Sequence, residues 1–211
     1  FYPNVAKGIK TPKRKQQFKK QPLLPAQATA LLHYYQDKAL RDYAIITLLL
    51  RTGLRTVEVI RANEEDITFK GSQRVLLIQG KGRDEKDNFV LLTDKTYQPI
   101  ADYLATRTAT GSEPLFTSTS NNSKGERLTT RSISYIAKEG LKAIGLDERS
   151  FTAHSLRHTT AVNILRAGGS LETAQFTLRH SNPATTQIYT ATLNEERRLQ
   201  NSGEALIDSL Y

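Results

Sequence analysis

The chain has 211 residues, 38% of them hydrophobic, and carries 30 Lys and Arg against 21 Asp and Glu, for a net charge of +9 and a pI near 9.7. That length and apolar content support a real core and exclude a wholly disordered chain, while the basic excess favours a polyanionic partner, nucleic acid ahead of an anionic membrane surface. No apolar run approaches the roughly 20 residues of a bilayer span, and the absence of cysteine removes disulfides and thiolate metal sites, so no membrane association and a reducing, cytoplasmic compartment are expected.

Residues 1–22 hold seven basic residues, three prolines and no acidic one. With almost no periodicity, they read as a basic linker or arm, in which Lys7, Lys10, Lys13, Arg14, Lys15, Lys19 and Lys20 are candidate phosphate contacts and a solvated tail is the plain alternative. From Ala26, apolar residues recur at helical spacing through "ALLHYY" and "DYAIITLLLRTG", where Gly53 marks a helix stop. In "TGLRTVEV", Arg55 follows that break and opens a new helical stretch. A helix N-terminus and a guanidinium together favour a phosphate, and pairing with Glu58 at i, i+3 is the competing, surface role. The acidic "NEEDITF" reads as turn-like sequence with solvated charge. "RVLLIQGKGRDEKDNFVLL" holds two apolar runs, 75–79 and 88–92, around a Gly- and charge-rich connection, which predicts a β-hairpin with a polar tip. Lys81 stands at that tip directly after the first strand and is favoured over Lys86, in the same connection, for reaching a substrate. Helical patterns follow at about 97–106, 131–143, 154–167 and 171–178, with "TSTSNNSKGERLTT" as a polar loop. The expected fold is mostly α with a small antiparallel β-sheet, an α+β domain over residues 23–190.

On a helix, "HSLRH" puts His154, Arg157 and His158 on one face with Ala161 and Leu165, an apolar stripe with a cationic end. His154 and His158 have the spacing of a zinc pair, but the HExxH glutamate is missing, Arg157 would sit beside the ion and no third ligand is evident, so no metal is expected. In "LRHSNPATTQIYT", Asn182 is a good N-cap and Pro183 suits the first helical position, so 184–189 should form a short helix ending on Tyr189. Tyr189 is then either a core aromatic or a nucleophile. The clusters together fit one reaction. Attack on a phosphodiester builds negative charge that Arg55, Arg157 and His180 can meet, Tyr189 can form a covalent ester, and Lys81 can protonate the departing sugar oxygen.

These pieces, "TGLRTVEV", a lysine in a β-hairpin turn, "HSLRH" and "RHSNPATTQIY", stand in an order that resembles the catalytic domain of tyrosine recombinases, the phage and transposon integrase group. The resemblance runs from about Leu23 to Tyr189. It implies that Arg55, Lys81, His154, Arg157 and His180 surround a scissile phosphate while Tyr189 forms a 3′-phosphotyrosyl bond, with His154 helping to deprotonate it and neither metal nor nucleotide cofactor needed. It further implies double-stranded DNA as partner, a homo-oligomer on DNA that is a tetramer when two sites are paired, a nucleoid-associated location, and residues 1–22 as the linker to a further N-terminal domain. Residues 191–211 read as a polar turn and a short helix that docks on a neighbouring protomer or on its own domain. Many members carry glycine where this chain has Arg179, which is either an extra phosphate contact or a packing variation. A type IB topoisomerase-like relaxing enzyme and a noncatalytic DNA-binding module remain the alternatives.

Overall fold

The computed structural model describes residues 20–80, 82–107, 113–180, 182, 184–208 and 210. Lys7, Lys10, Lys13, Arg14, Lys15, Lys19, Lys81 and Pro183 lie outside the described residues. The chain enters the domain before residue 22, because Gln21 N–H donates to the Ser150 carbonyl at 3.1 Å and Lys20 Nζ to that of Arg149 at 2.6 Å.

Helix α1, Pro25–Gln36, opens with proline where a free N–H is not needed, and Gln27 Oε1 reaches back to the Leu24 N–H at 2.9 Å. Helix α2, Leu40–Thr52, is buried from Ala44 through Leu50 rather than along one stripe, as befits the central helix of the core. Gly53 ends it at φ 61, a left-handed position where a Cβ would also run into Leu178. Helix α3, Thr56–Arg61, leads to a three-stranded antiparallel sheet of β1, Ile67–Lys70, β2, Gln73–Ile78, and β3, Asn88–Leu91, in the order β1-β2-β3. The expected hairpin is present, with Leu76 opposite Val90. Strand β1, which pairs Thr68 with Val75, overlaps the end of the segment expected to be a turn. Its four residues are too short to alternate convincingly, but Gly71 and Ser72 link Lys70 to Gln73 as a two-residue hairpin turn, with Gly71 at φ 60.

Helix α4, Asp94–Leu104, packs on α2, and α5, Thr130–Ala143, turns Ile133, Ile136, Ala137 and Leu141 inward. Helix α6, Ala153–Arg166, crosses between α2 and a smaller layer of α7, Leu171–Leu178, and α8, Ala184–Gln200. Ser170 caps α7 by accepting from the Thr173 N–H at 3.0 Å. Most of the apolar core lies around α1, α2, α5 and the sheet, while Ala161, Val162, Leu165, Ala174, Leu178, Tyr189 and Leu193 form a separate small cluster. Where a short helix ending at Tyr189 and then a polar turn were expected, α8 continues without a break to Gln200, and α9, Gly203–Asp208, follows. Two turns beyond Tyr189, Glu196 takes Arg166 of α6 in a two-pronged pair, Nη2 to Oε1 at 2.6 Å and Nε to Oε2 at 3.1 Å. Among the described residues, no helix is long and apolar enough to cross a membrane.

Candidate functional site

Three helix ends meet where the sequence motifs converge. Arg157, on α6, is buried, and its guanidinium donates from Nη1 to the Gly53 carbonyl and from Nη2 to the Leu178 carbonyl, the C-terminal ends of α2 and α7. A cation belongs there, because the last carbonyls of a helix are unpaired and carry its negative end. Burial first, then the charges of Arg55 and Arg179, holds Arg157 down to about 9, with Glu58 pulling the other way. It stays charged at neutral pH, and three of its five N–H donors are left over.

Arg55 is the N-cap of α3, partly exposed, and the sequence alternatives for it are both present. Its Nη1 donates to Glu58 Oε1 at 2.9 Å and its backbone N–H to Oε2 at 2.7 Å, but Glu58 is only 1% exposed, so the bridge is a buried brace and not a surface ornament. Burial works to raise the Glu58 carboxyl; the Arg179 charge, the Arg55 N–H and the charges of Arg55 and Arg157 outweigh it and hold it below the usual carboxylate range. Arg179 lies with its side chain 9% exposed against Glu58.

The tyrosine side is built differently. Tyr189 is 2% exposed, inside the small apolar cluster, and its hydroxyl meets His158 Nδ1 at 2.8 Å. His180 stacks against the Tyr189 ring at 6.2 Å and joins Thr186 Oγ1 through Nδ1 at 3.0 Å. His154, the residue to which the resemblance gave the role of base, is exposed and touches the His158 ring edge-on at 4.6 Å, with His158 between it and the Tyr189 hydroxyl. His158 was read on the right helix face but not placed in the site. Its identity at i+4 from His154 was visible, whereas its partner in α8 was not.

All three rings are held neutral. Burial, then His154, Arg157 and His180, pushes His158 down to about 3. Burial and the charges of Arg157, Arg55 and Arg179, with His154, push His180 down to about 4. Desolvation and the charges of Arg157, Arg55 and Lys20 lower His154. Burial pushes Tyr189 up to about 12 against the pull of Arg157 and Arg55, so the resting hydroxyl is a neutral phenol.

At the hairpin, Lys86 is already engaged: its Nζ bonds both oxygens of buried Asp66, at 2.6 and 2.7 Å. Among the described residues, no group of three or more His, Cys, Asp or Glu is arranged to hold a metal ion.

The sequence profile of the phage integrase family matches residues 21–196. Tyrosine recombinase XerC of Caldanaerobacter subterraneus subsp. tengcongensis is 38% identical over 154 residues, covering 71% of this chain and 41% of that protein. XerC of Pelobacter propionicus is 35% identical over 196 residues, covering 89% and 60%. Among solved structures, the XerA recombinase is similar with a TM-score of 0.70 and 26% identity, over 90% of this chain and 66% of that one. The XerH site-specific recombinase, solved on its palindromic difH substrate as a post-cleavage complex, is similar with a TM-score of 0.73 and 22% identity, over 90% and 54%. The chain spans between 41% and 60% of the length of these two XerC relatives. On the profile match and these identities, the chain belongs to the phage integrase family and is a tyrosine recombinase catalytic domain.

Proposed function

We propose that this domain is the catalytic part of a site-specific DNA recombinase that cuts and rejoins DNA by transesterification through Tyr189. The observation that carries the reading is the Tyr189 hydroxyl, held on His158 at 2.8 Å within the electrostatic reach of Arg157 and Arg55. Tyr189 Oη attacks the phosphorus, the P–O5′ bond breaks, the electron pair leaves on the 5′ oxygen, and a 3′-phosphotyrosyl ester conserves the bond for religation. Arg55, Arg157 and His180 meet the charge gathering on the nonbridging oxygens. His158, hydrogen-bonded to the hydroxyl, is positioned to take the phenol proton, with His154 beyond it; burial first and then neighbouring charge make it a weak base at rest, and the arriving phosphate offsets the second of these. Lys81 is assigned the proton for the 5′ oxygen, supported by the engagement of Lys86 with Asp66. No metal or nucleotide cofactor enters this scheme.

In this reading the basic stretch ahead of Lys20 follows the duplex, the catalytic domain runs on through α8, whose Glu196 is held by Arg166, and the tail from α9 docks on a neighbouring protomer within a DNA-bound tetramer. Supporting the tail assignment, Ile207 and Leu210 are 49% and 76% exposed and α9 has no buried residue. The similarity to XerC tyrosine recombinases favours recombination over simple relaxation. The test is a nicked duplex, built from sequences that the protein retains out of a random pool, incubated with the protein and resolved by denaturing electrophoresis. A protein–DNA adduct that requires Tyr189 supports the reading; binding without any adduct would leave a noncatalytic DNA-binding module.

A further inference from the structure

Arg179 closes α7 at φ 54 and ψ 45, the sole non-glycine residue with positive φ among the described residues. Glycine takes this conformation freely and a side chain does not. The side chain turns inward. Nη2 donates to Glu58 Oε2 at 3.1 Å and Nη1 to the Thr177 carbonyl at 2.6 Å, while Nε is sealed from solvent without an acceptor. Glu58 holds Arg55 at the same time, by Nη1 on Oε1 and by the backbone N–H on Oε2. Two arginines from separate elements thus share one buried carboxylate, beside a cavity of about 270 Å³ that Arg83 and Asp87 also line. A phosphate in that cavity cannot reach Arg179 Nε unless the side chain moves.

We propose that Arg179 is a positioning residue: its grip on Glu58 fixes the carboxylate that aims Arg55, and it makes no phosphate contact of its own. The proposal rests on the reading of Arg55 as a phosphate ligand. Glu58 faces Arg55 from α3, Arg157 from α6, Arg179 from the end of α7, and the hairpin connection with Arg83 and Asp87. Arg179 is the largest of the charges that counter the burial of Glu58. Without it the Glu58 carboxyl rises, and protonation on acidification then frees Arg55 from its brace.

The decisive variant is Arg179→Gly, which relieves the backbone and removes the grip. Three readouts are taken: the Glu58 titration by carboxyl-carbon NMR on the DNA-free protein, single-turnover cleavage of the nicked duplex against pH, and DNA affinity across a salt series. The expected result is a Glu58 midpoint moved to higher pH, cleavage lower by about tenfold, an acid limb displaced in the same direction, and unchanged affinity and salt slope. Arg179→Lys should recover part of the rate. An unmoved Glu58 midpoint overturns the proposal. So does a weaker, less salt-sensitive affinity, which marks a phosphate contact, or a lower melting temperature with an unmoved pH profile, which marks packing alone. Tyr189→Phe in the same assay judges the nucleophile separately, since adducts from it would sink the catalytic reading while the Glu58 titration still judges Arg179.

Discussion

On the arginine side of the site, Arg157 is tied to the carbonyls ending α2 and α7 and Arg55 to buried Glu58, whereas on the tyrosine side Tyr189, His158 and His180 hold one another through uncharged contacts over a small apolar cluster. The first group has its charges placed in advance by buried partners, the carbonyls at two helix ends and the Glu58 carboxylate, an arrangement that would stabilise a developing phosphorane without reorganisation. The second keeps its reactive group dry and neutral, on a helix whose substantial packing is against α6 and α7. Charge readiness is therefore built into the scaffold, while the proposed nucleophile is the half that has to be brought into play.

The sharpest break of this contrast is Tyr189→Phe, which keeps the ring in its cluster and removes only the hydroxyl. Covalent adducts should vanish while noncovalent affinity stays within about twofold, or ~0.4 kcal/mol. Denaturing electrophoresis beside a binding titration reads both. Next in size is Arg157→Lys, which keeps the charge but cannot span two carbonyls and a phosphate with a planar fork. Cleavage should fall by at least tenfold, matching ~1.4 kcal/mol or more of lost transition-state stabilisation, and single-turnover rates measure it.

The neutral half carries its own pH signature. His158 and His180 are depressed to about 3 and about 4, so between those values and an ordinary imidazole near 6.5 the unfolded chain binds protons that the folded one refuses. Stability should be full above that ordinary value and decline as pH falls through this window, by up to about 1.4 kcal/mol per pH unit for each ring. His158→Asn, which can still meet the Tyr189 hydroxyl but cannot titrate, should flatten the slope of melting temperature against pH between 6.5 and 4. An equal slope would mean that His158 is not held neutral by the fold.

The smallest effect is expected from the basic linker. Deleting residues 1–19, which spares the Gln21 tie to Ser150, should make log affinity less steep in log salt, by about 0.9 for every phosphate that the stretch neutralises, with single-turnover chemistry retained at saturating protein. Equal slopes for the two proteins would make the stretch a solvated tether.

Much of this was legible because it is local. The stop at Gly53 and the placing of His154, Arg157 and His158 of "HSLRH" on one helix follow from nearest-neighbour chemistry, and α7 lies at the expected residues. What escaped was set by partners far along the chain. Strand β1 exists because β2 pairs with it, and its own four residues carry almost no pattern. The polar "NEERRLQ" was read as part of a turn because it lacks an apolar face, yet Glu196 fixes it to Arg166 and Leu193 to the small cluster. Glu58 looked like half of a surface pair until Arg179 and burial made it a hub. His158 needed α8 in place before it had anything to touch.

The Arg166–Glu196 clamp also sets a phase. Seven residues separate Tyr189 from Glu196, and at about 100° per residue that spacing returns them to nearly the same side of α8. Inserting a single residue between them would swing the phenol about a quarter-turn from its pocket if the clamp held, or tear the clamp if the phenol stayed. A full heptad inserted there would restore the angle within about 20° but would still part the two residues by about 10.5 Å along the axis. The helix thus fixes both the angle and the distance between phenol and clamp, and this segment should tolerate substitution at its exposed positions but no change in length.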